Sequence, residues 1–215
     1  MTKLFIFDWD GTLVDSTGKI VQAMAAAIGE MALAPRSDDA IRNIIGLGLP
    51  EALRQLYPTA PELQLATLRQ TYVKYFLELD QLPCRHFDGA FELLSQLREQ
   101  GWLLAVATGK SRRGLTRALQ QTGWASLFDA SRCADETRSK PHPLMLHELL
   151  AELSVPAQRA VMVGDTEYDM AMAEAAGVDR IGVSYGAHAA ERLQAYRPWR
   201  IVDRLAEVAA WDGSH

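Results

Sequence analysis

At residues 3–16 the chain reads Lys3-Leu-Phe-Ile-Phe-Asp-Trp-Asp-Gly-Thr-Leu-Val-Asp-Ser16. Leu4 to Phe7 are apolar without alternation, which predicts a strand buried on both faces of a parallel sheet. Asp8 and Asp10 follow where that strand ends, and Gly11 lets the chain turn. Ligands bind beyond the carboxyl ends of the strands in open α/β sheets. The two carboxylates are therefore candidates for a nucleophile and a proton donor or for metal ligands, with an Asp-rich turn as the alternative.

The composition indicates a globular protein with a sizeable core and no general affinity for polyanions. The chain has 215 residues, of which 48% are hydrophobic, and its formal net charge is −5. A nucleic-acid surface or an anionic-membrane surface needs a basic patch, so both classes of partner are excluded as general functions. An anionic substrate would need local neutralisation by a metal or by a few well-placed cations.

The two cysteines indicate a reducing compartment. Cys84 and Cys133 are far apart and neither lies in a CxxC pair, so we interpret both as inert thiols and not as a disulfide framework. The chain enters its first strand without the basic, apolar and small-residue series of a signal peptide. No apolar run approaches the ~18 residues that span a bilayer. We therefore predict a cytoplasmic protein without a membrane segment.

The order of the remaining patterns predicts an α/β fold with a helical insertion. Apolar residues recur at helical spacing through residues 16–82, which predicts about four helices and no strand, with Ser16 and Ser37 as N-caps. Beyond this insertion, helical patterns alternate with short strand candidates, namely 102–107, 127–130, 160–163, 180–184 and 201–202. Such alternation implies a Rossmann-like parallel sheet with helices on both faces. We predict this core over residues 1–15 and 83–215.

Groups suited to phosphate chemistry follow three of the predicted strands. Thr108 and Gly109 follow the second strand, and Asp165 follows a later one with Asp169 a turn further on. Lys140 precedes Pro141 at a predicted helix start, where a helix N-terminus would itself favour an anion. Because the carboxyl ends of parallel strands meet at one edge of a sheet, we expect these groups to converge with Asp8 and Asp10.

These motifs resemble, in order, those of the haloacid dehalogenase superfamily of phosphohydrolases. The matching residues are Asp8-x-Asp10-Gly-Thr-Leu-x-Asp15-Ser16, Thr108-Gly109, Lys140-Pro141 and Gly164-Asp165-Thr166-x-x-Asp169. The segment 16–82 looks like the small helical cap of the phosphoglycolate-phosphatase-like branch. The resemblance covers essentially the whole chain, and its one departure, Phe87-Asp88-Gly89 where relatives often have Pro-Gly, affects only a turn.

The resemblance implies roles for the acidic residues. Asp8 would attack phosphorus and form an aspartyl-phosphate, while Asp10 would protonate the leaving oxygen and later deprotonate the attacking water. A carboxylate and a phosphate dianion repel each other, so a divalent cation is implied, and Mg²⁺ prefers hard oxygen ligands. The carboxylates of Asp8 and Asp165 and the main-chain carbonyl of Asp10 would supply them. Asp169 would orient a metal-bound water or Lys140, with direct ligation as the less favoured role.

The same resemblance assigns three residues to the phosphate group itself. The Thr108 hydroxyl and the Gly109 amide would hold its oxygens, and Lys140 would balance the charge of the transferring group. Thr108 and Lys140 therefore join Asp8 and Asp10 as candidate catalytic residues.

The predicted insertion contains a candidate substrate loop. Gly46-x-Gly48 is not a dinucleotide motif because it lies between helices and a third glycine is absent. The resemblance places this loop at the substrate-facing side of the cap, with Arg42, Asn43 and Glu51 as possible contacts, each of which is otherwise an ordinary structural residue.

Other polar residues are given no chemical role. Lys110 and Arg112 lie next to the second motif, where they could attract anions, but we interpret them as mainly solvent-facing. The histidines have no metal-ligand spacing, and hard Mg²⁺ does not seek imidazole. We interpret them as surface or packing residues: His86, His142, His147, His188 and His215.

The sequence therefore predicts an Mg²⁺-dependent phosphatase that acts on a small phosphorylated metabolite, such as phosphoglycolate, a sugar phosphate or a nucleotide. A phosphosugar mutase of the same fold is the alternative, although the cap loop has no Lys or Arg between Gly46 and Pro50. A catalytically idle module that binds a partner is less favoured, because the four charged motif residues are all present. Both a monomer and a weak homodimer fit the sequence.

Overall fold

The computed structural model describes residues 3–80 and 85–213. Its described residues form a six-stranded sheet with the strand order β3-β2-β1-β4-β5-β6, and every pair of neighbouring strands is parallel. The strands are β1 (Leu4–Phe7), β2 (Leu103–Thr108), β3 (Ala130–Cys133), β4 (Ala160–Gly164), β5 (Asp179–Val183) and β6 (Arg200–Val202). The predicted Rossmann-like α/β class is confirmed.

The central strand β1 separates two hydrophobic cores. Phe5 and Phe7 pack into the core on one face of the sheet, whereas Leu4 and Ile6 pack into the core on the other face. All four side chains are fully buried, as expected for a parallel strand covered on both faces. Because β2 and β4 pair with β1 on either side, the acidic residues that follow β1 lie at the middle of the sheet edge.

Helices of the α/β core cover both faces of the sheet. The first face is covered by α5 (Ala90–Glu99) and α6 (Arg112–Thr122), and the opposite face by α7 (Leu144–Leu153) and α8 (Glu167–Ala176). A short helix, α9 (Ala190–Gln194), lies between β5 and β6.

Among the described residues, four helices lie between β1 and α5, as the helical spacing predicts. They are α1 (Thr17–Glu30), α2 (Asp38–Arg42), α3 (Leu49–Leu56) and α4 (Glu62–Leu79). Their apolar faces share a third core, which includes Met24, Ile41 and Leu53. We refer to these four helices as the cap. The predicted boundary between residues 82 and 83, and also Cys84 and His215, lie outside the described residues.

Some sequence-based predictions of local structure are wrong. The strand expected at 127–130 lies instead at Ala130–Cys133, because Ala125–Leu127 forms a 3-10 turn from which Leu127 packs against the core. The helix expected to open at Lys140 begins instead at Leu144. The last predicted helix, Leu205–Ala210, is a 3-10 helix.

The two predicted serine N-caps have different outcomes. Ser37 accepts a hydrogen bond from the Ala40 amide, as an N-cap does. Ser16 occupies the N-cap position of α1, but its side chain makes no capping bond. Its hydroxyl donates instead to Oδ1 of Asp10, at 2.5 Å, so a residue predicted to cap a helix contacts the candidate site.

In the part of the chain that the structure describes, no helix combines the length and the apolar character needed to cross a bilayer.

Candidate active site

The carboxyl end of β1 places Asp8 and Asp10 on a tightly folded turn. The Asp8 amide donates to the Val163 carbonyl at 2.9 Å, which extends the pairing of β1 with β4 by one residue. Gly11 has a φ of 81°, and a Cβ atom there would overlap the Asp165 carboxylate. Glycine is therefore needed at this position for its backbone conformation and for the close approach of Asp165.

Asp165 is fully buried and held by hydrogen bonds to both of its carboxylate oxygens. The Thr12 hydroxyl donates to Oδ1 at 2.9 Å, and the Ala187 amide donates to Oδ2 at 2.7 Å. The backbone of Gly186 lies so close that a Cβ atom there would overlap the Asp165 side chain. The loops that follow β1 and β5 therefore fix the orientation of this carboxylate.

Lys140 joins two of the buried carboxylates. Its ammonium lies 2.8 Å from Oδ1 of Asp8 and 2.6 Å from Oδ1 of Asp169, and all three side chains are buried. Burial alone would lower the pKa of Lys140, but the charges of Asp169 and Asp8 outweigh it and raise the pKa above its ordinary value. The lysine is therefore a permanent cation, and a buried pair of this kind is stable only while both signs are present.

Asp169 is saturated by protein donors. Its Oδ1 faces Lys140, while its Oδ2 accepts from the Thr166 amide at 3.1 Å and from the Thr166 hydroxyl at 2.7 Å. The bond from the Thr166 amide, together with one from the Asp169 amide to the Thr166 hydroxyl oxygen at 3.3 Å, forms a capping box at the start of α8. This arrangement leaves Asp169 suited to positioning Lys140, and the indirect role that the resemblance implies for Asp169 stays a prediction.

Asp8, Asp165 and Asp169 form a cluster whose candidate ligand oxygens lie within 4.8 Å of one another. Burial raises the pKa of Asp8 well above its ordinary value, and burial together with the charge of Asp169 raises the pKa of Asp165 to about 7. Oδ2 of Asp8 is buried and accepts no hydrogen bond from the described residues. An unsatisfied carboxylate oxygen beside a second carboxylate fits a hard divalent cation.

The end of β2 supplies candidate phosphate donors. The Thr108 hydroxyl oxygen accepts from the Lys110 amide at 3.2 Å, which leaves the hydroxyl hydrogen free to donate. A Cβ atom on Gly109 would lie 2.5 Å from the Leu47 carbonyl oxygen and 2.7 Å from the Gly46 carbonyl oxygen. Glycine at 109 therefore lets the cap loop approach the phosphate-binding turn.

The structure gives Lys110 a position that differs from the predicted solvent-facing one. Its ammonium lies 2.9 Å from Oδ1 of Asp10, with only 12% and 11% of the two side chains exposed. The same ammonium lies 5.2 Å from the centre of the Phe76 ring, on cap helix α4. Arg112 instead pairs with Glu136 at the surface, so its predicted location is correct.

Tyr168 and His188 join the cap to the α/β core. The Asn43 carbonyl accepts from the Tyr168 hydroxyl at 2.7 Å and contacts Nε2 of His188 at 3.3 Å. Because Nδ1 of His188 accepts from the Glu167 amide, the neutral ring carries its proton on Nε2. His188 is thus a packing residue, as predicted.

The predicted substrate loop only partly faces the site. A cavity of about 1070 Å³ separates the cap from the α/β core, and Asp8, Asp10, Gly46 and Glu51 are among its lining residues. The other predicted contacts, Arg42 and Asn43, are not among the described residues that line it. The Asn43 main chain holds the cap to the core, which sequence spacing could not distinguish from substrate contact.

Known proteins similar to this chain include phosphatases. The sequence profile of the haloacid dehalogenase-like hydrolases matches residues 5–183. "Probable phosphatase IndB" of Dickeya dadantii is 40% identical over 213 residues, covering 97% of this chain and 92% of that protein. A phosphoglycolate phosphatase of Rhodospirillum rubrum is 30% identical over 227 residues, covering 99% and 92%. The crystal structure of a hydrolase from Pseudomonas syringae shares the fold, with a TM-score of 0.88 at 23% identity and 97% and 96% of the two chains covered.

The chain therefore belongs to the haloacid dehalogenase-like hydrolases. Within that family it is a phosphoric monoester hydrolase of the phosphoglycolate-phosphatase-like branch. The family resemblance inferred from the four motifs is confirmed.

Proposed function

We propose that the chain hydrolyses a phosphomonoester in an Mg²⁺-dependent reaction, through an aspartyl-phosphate formed on Asp8. The observation that carries the proposal is the buried Oδ2 of Asp8, which accepts no hydrogen bond from the described residues although Lys140 and Asp165 surround the carboxylate. An oxygen with no internal partner at the end of the central strand is available for attack on phosphorus.

Each half of the reaction uses Asp8 and Asp10. In the first half, an Asp8 oxygen forms a bond to phosphorus while the bond from phosphorus to the alcohol oxygen breaks, and Asp10 gives that oxygen its proton. In the second half, Asp10 takes a proton from a water molecule whose oxygen attacks phosphorus, which releases phosphate and regenerates the Asp8 carboxylate. Ser16 and Lys110 hold the side chain of Asp10 through its Oδ1.

The residues present fit a magnesium ion. The carboxylates of Asp8 and Asp165 and the main-chain carbonyl of Asp10 would hold it, while Asp169 positions Lys140. A bound Mg²⁺ offsets the repulsion between the carboxylate and the phosphate dianion and polarises the phosphoryl oxygens. The Thr108 hydroxyl, the Gly109 amide and Lys140 are proposed to bind the remaining phosphoryl oxygens.

The raised pKa of Asp165 predicts how stability depends on pH when metal is absent. An acid whose pKa is raised by folding, here from 3.8 to about 7, binds its proton more tightly in the folded state. The metal-free protein therefore loses stability as pH rises from about 4 to about 7. Because Mg²⁺ binds the deprotonated carboxylates, it restores the loss. We expect thermal-unfolding midpoints with Mg²⁺ and with chelator to differ by about 5 °C or more at about pH 8 and to converge toward about pH 5.

The matched control for this pH profile is Asp165→Asn, which removes the titrating group at nearly constant volume. Its midpoint in chelator should change less with pH than that of the wild type. Equal wild-type midpoints with and without Mg²⁺ at about pH 8 would contradict the proposed metal site.

Replacing Lys110 is expected to lower kcat. Lys110→Met removes the cation 2.9 Å from Asp10, and a hydrogen bond to a charged group is worth about 1.5–3 kcal/mol, or roughly 10–100-fold in rate. We expect a kcat decrease of that size with little change in KM, partial rescue in Lys110→Arg, and an altered pH profile of kcat. The control is Arg113→Met, which removes an exposed cation that lines the same cavity without contacting Asp10. An equal effect of both substitutions would show that Lys110 acts only by general attraction of anions.

A panel of esters tests the proposed function. Phosphoglycolate, suggested by the names of relatives, is assayed beside hexose phosphates and nucleoside monophosphates for phosphate release with Mg²⁺ and with chelator. We expect Mg²⁺-dependent release from at least one of them. Conversion of a hexose 1-phosphate without phosphate release would favour the mutase, and no conversion of any ester would overturn the proposal.

A further inference from the structure

The cavity above Asp8 and Asp10 is much larger than a two-carbon phosphoester requires. Its volume is about 1070 Å³. Phosphoglycolate has nine non-hydrogen atoms, which occupy roughly 270 Å³ even at the volume of one liquid water each. Such a substrate would fill about a quarter of the cavity. The volume is instead at the upper end of the range found for sites that hold drug-sized molecules.

The cap side of this cavity is largely apolar. The wall is formed by side chains from α1, from the loop before α3 and from α4, among them Ile20, Met24, Ile45, Leu47, Tyr72 and Phe76. Tyr72 and Phe76 lie one turn apart on α4, with ring centres 5.8 Å apart. Aromatic side chains in this arrangement present a surface on which another ring can pack.

The charged groups of the cap wall do not form a carboxylate-binding site. Among the described residues of the cap that line the cavity, Glu51, Arg69 and Asp80 are charged. Asp80 is already paired with Lys19 and Arg117, each at 2.9 Å. Glu51 and Arg69 are exposed to solvent. The described cap residues on this wall therefore offer no buried cation with which to bind a carboxylate such as that of glycolate, and the largely buried Lys110 on the opposite side is already paired with Asp10.

Two exposed hydrophobic side chains also line the cavity, beside exposed charged residues such as Arg69 and Arg113. Among the described residues, three large hydrophobic side chains are exposed: Phe91 at 47%, Val73 at 41% and Leu63 at 81%. Phe91, on the α/β core, and Val73, on the cap, both line the cavity. Phe91 packs near Trp124, with ring centres 6.4 Å apart. Exposed apolar side chains that line a cavity indicate a binding surface, whereas Leu63, which does not line it, needs no explanation.

We propose that the substrate is a phosphomonoester of an alcohol with a large, mainly apolar, ring-containing body that packs along the cap wall. This inference rests on the proposed function, since the phosphoryl group is transferred to Asp8 in the same way. The bond between phosphorus and the alcohol oxygen breaks, and Asp10 supplies the proton with which the alcohol leaves. The ring-containing body occupies the space between Tyr72 and Phe76 on one side and Trp124 and Phe91 on the other.

One polar group on the wall is available to the substrate. The Tyr72 hydroxyl makes no hydrogen bond within the described residues that line the cavity, although the side chain is largely buried. A phenol donates readily to an acceptor atom. An ether, carbonyl or ring nitrogen on the substrate body would satisfy this hydroxyl, and would orient the apolar body relative to the phosphoryl group.

Three alkyl phosphates with Mg²⁺ test the inference. Ethyl, butyl and phenylbutyl phosphate all release a primary alcohol, so their leaving groups have similar intrinsic reactivity and differ mainly in apolar size. Binding energy from a remote part of the substrate appears in kcat/KM. We expect kcat/KM to rise by at least about 100-fold from ethyl to phenylbutyl phosphate, since the two additional methylenes alone contribute about tenfold each in an apolar pocket. A kcat/KM that stays constant or falls along the series would overturn the inference.

A matched pair of variants tests where on the cavity wall the apolar body of the substrate binds. Phe91→Ala and Leu63→Ala each truncate an exposed apolar side chain, but only Phe91 lines the cavity. The ratio of kcat/KM for phenylbutyl phosphate to that for ethyl phosphate should fall by about fivefold to tenfold in Phe91→Ala. It should be unchanged in Leu63→Ala. An unchanged ratio in both variants would overturn the placement of the body beside Phe91.

Failure of the proposed function is distinguishable from failure of this inference. Hydrolysis of ethyl phosphate and phosphoglycolate without preference for phenylbutyl phosphate would leave the phosphatase proposal standing and remove the apolar subsite. If no ester is hydrolysed, calorimetry with phenylbutyl phosphonate and ethyl phosphonate tests the subsite alone. Tighter binding of phenylbutyl phosphonate with a more negative heat-capacity change supports the subsite. Equal binding overturns it.

Discussion

Asp8→Asn is expected to lower phosphate release by at least about 10⁴-fold, because an amide oxygen is a poor nucleophile for phosphorus. The substitution preserves the size of a fully buried side chain, so the cavity should keep its shape. Phosphate release under single-turnover conditions measures the effect without interference from product release.

The control for this variant is Asp15→Asn. Asp15 closes the same motif, but its side chain is exposed, so its substitution should leave phosphate release within about twofold of the wild type. If Asp8→Asn retained a tenth or more of the wild-type rate, the nucleophile would have to be a different group.

Lys140→Met is expected to lower both the free energy of unfolding and the rate. The methionine leaves the buried carboxylates of Asp8 and Asp169 without their cation, and breaking a buried pair in this way costs about 3–5 kcal/mol. Activity should fall by about 10²–10³-fold through loss of charge stabilisation at the phosphoryl group. Urea unfolding at about pH 8 in chelator measures the stability change. The difference in the free energy of unfolding between the wild type and the variant should shrink toward about pH 5, where the unpaired acids take up protons.

A second substitution separates the charge effect from side-chain packing. Lys140→Met combined with Asp169→Asn removes one of the two stranded carboxylates, and the double variant should recover part of the stability lost in Lys140→Met alone. If Lys140→Met lowered the free energy of unfolding by less than about 1 kcal/mol, the buried ion pairs would not be coupled as the geometry indicates. The same would follow if Asp169→Asn destabilised the Lys140→Met variant as much as it destabilises the wild type.

The sheet and the location of the acidic cluster could be predicted from the sequence because both depend on local patterns. Four consecutive apolar residues identify β1 as a doubly covered strand, and parallel topology brings the ends of β1, β2 and β4 to one edge. The structure accordingly places Asp8, Asp165 and Lys140 in contact or close together. The convergence follows from topology and not from any single motif.

The strand β3 could not be predicted because its pairing depends on tertiary contacts. Its sequence, Ala-Ser-Arg-Cys, has no apolar run, whereas the preceding Leu127 and Phe128 are apolar but lie in and beside a 3-10 turn. Arg132 is accommodated at this sheet edge because it pairs with Glu148 on α7. Hydrophobic pattern alone therefore places the strand too early.

Two roles at the junction between the cap and the core also depend on three-dimensional packing. A lysine beside a phosphate motif has the same sequence signature whether it faces solvent or, as Lys110 does, turns inward to Asp10. Asn43 contacts the core through its main-chain carbonyl, which side-chain chemistry does not reveal. The signal that could have indicated Lys110 is its position directly after Thr108 and Gly109, close to the predicted site.

The most direct test of the account is to trap the covalent intermediate. The protein is mixed with Mg²⁺ and the best ester of the panel, quenched in acid during turnover and digested with trypsin, which releases residues 4–19 as one peptide. We predict that this peptide gains the mass of one phosphoryl group, that fragmentation places the group on Asp8, and that hydroxylamine removes it. Rapid turnover with no phosphoryl group on Asp8, together with retained activity in Asp8→Asn, would contradict the account.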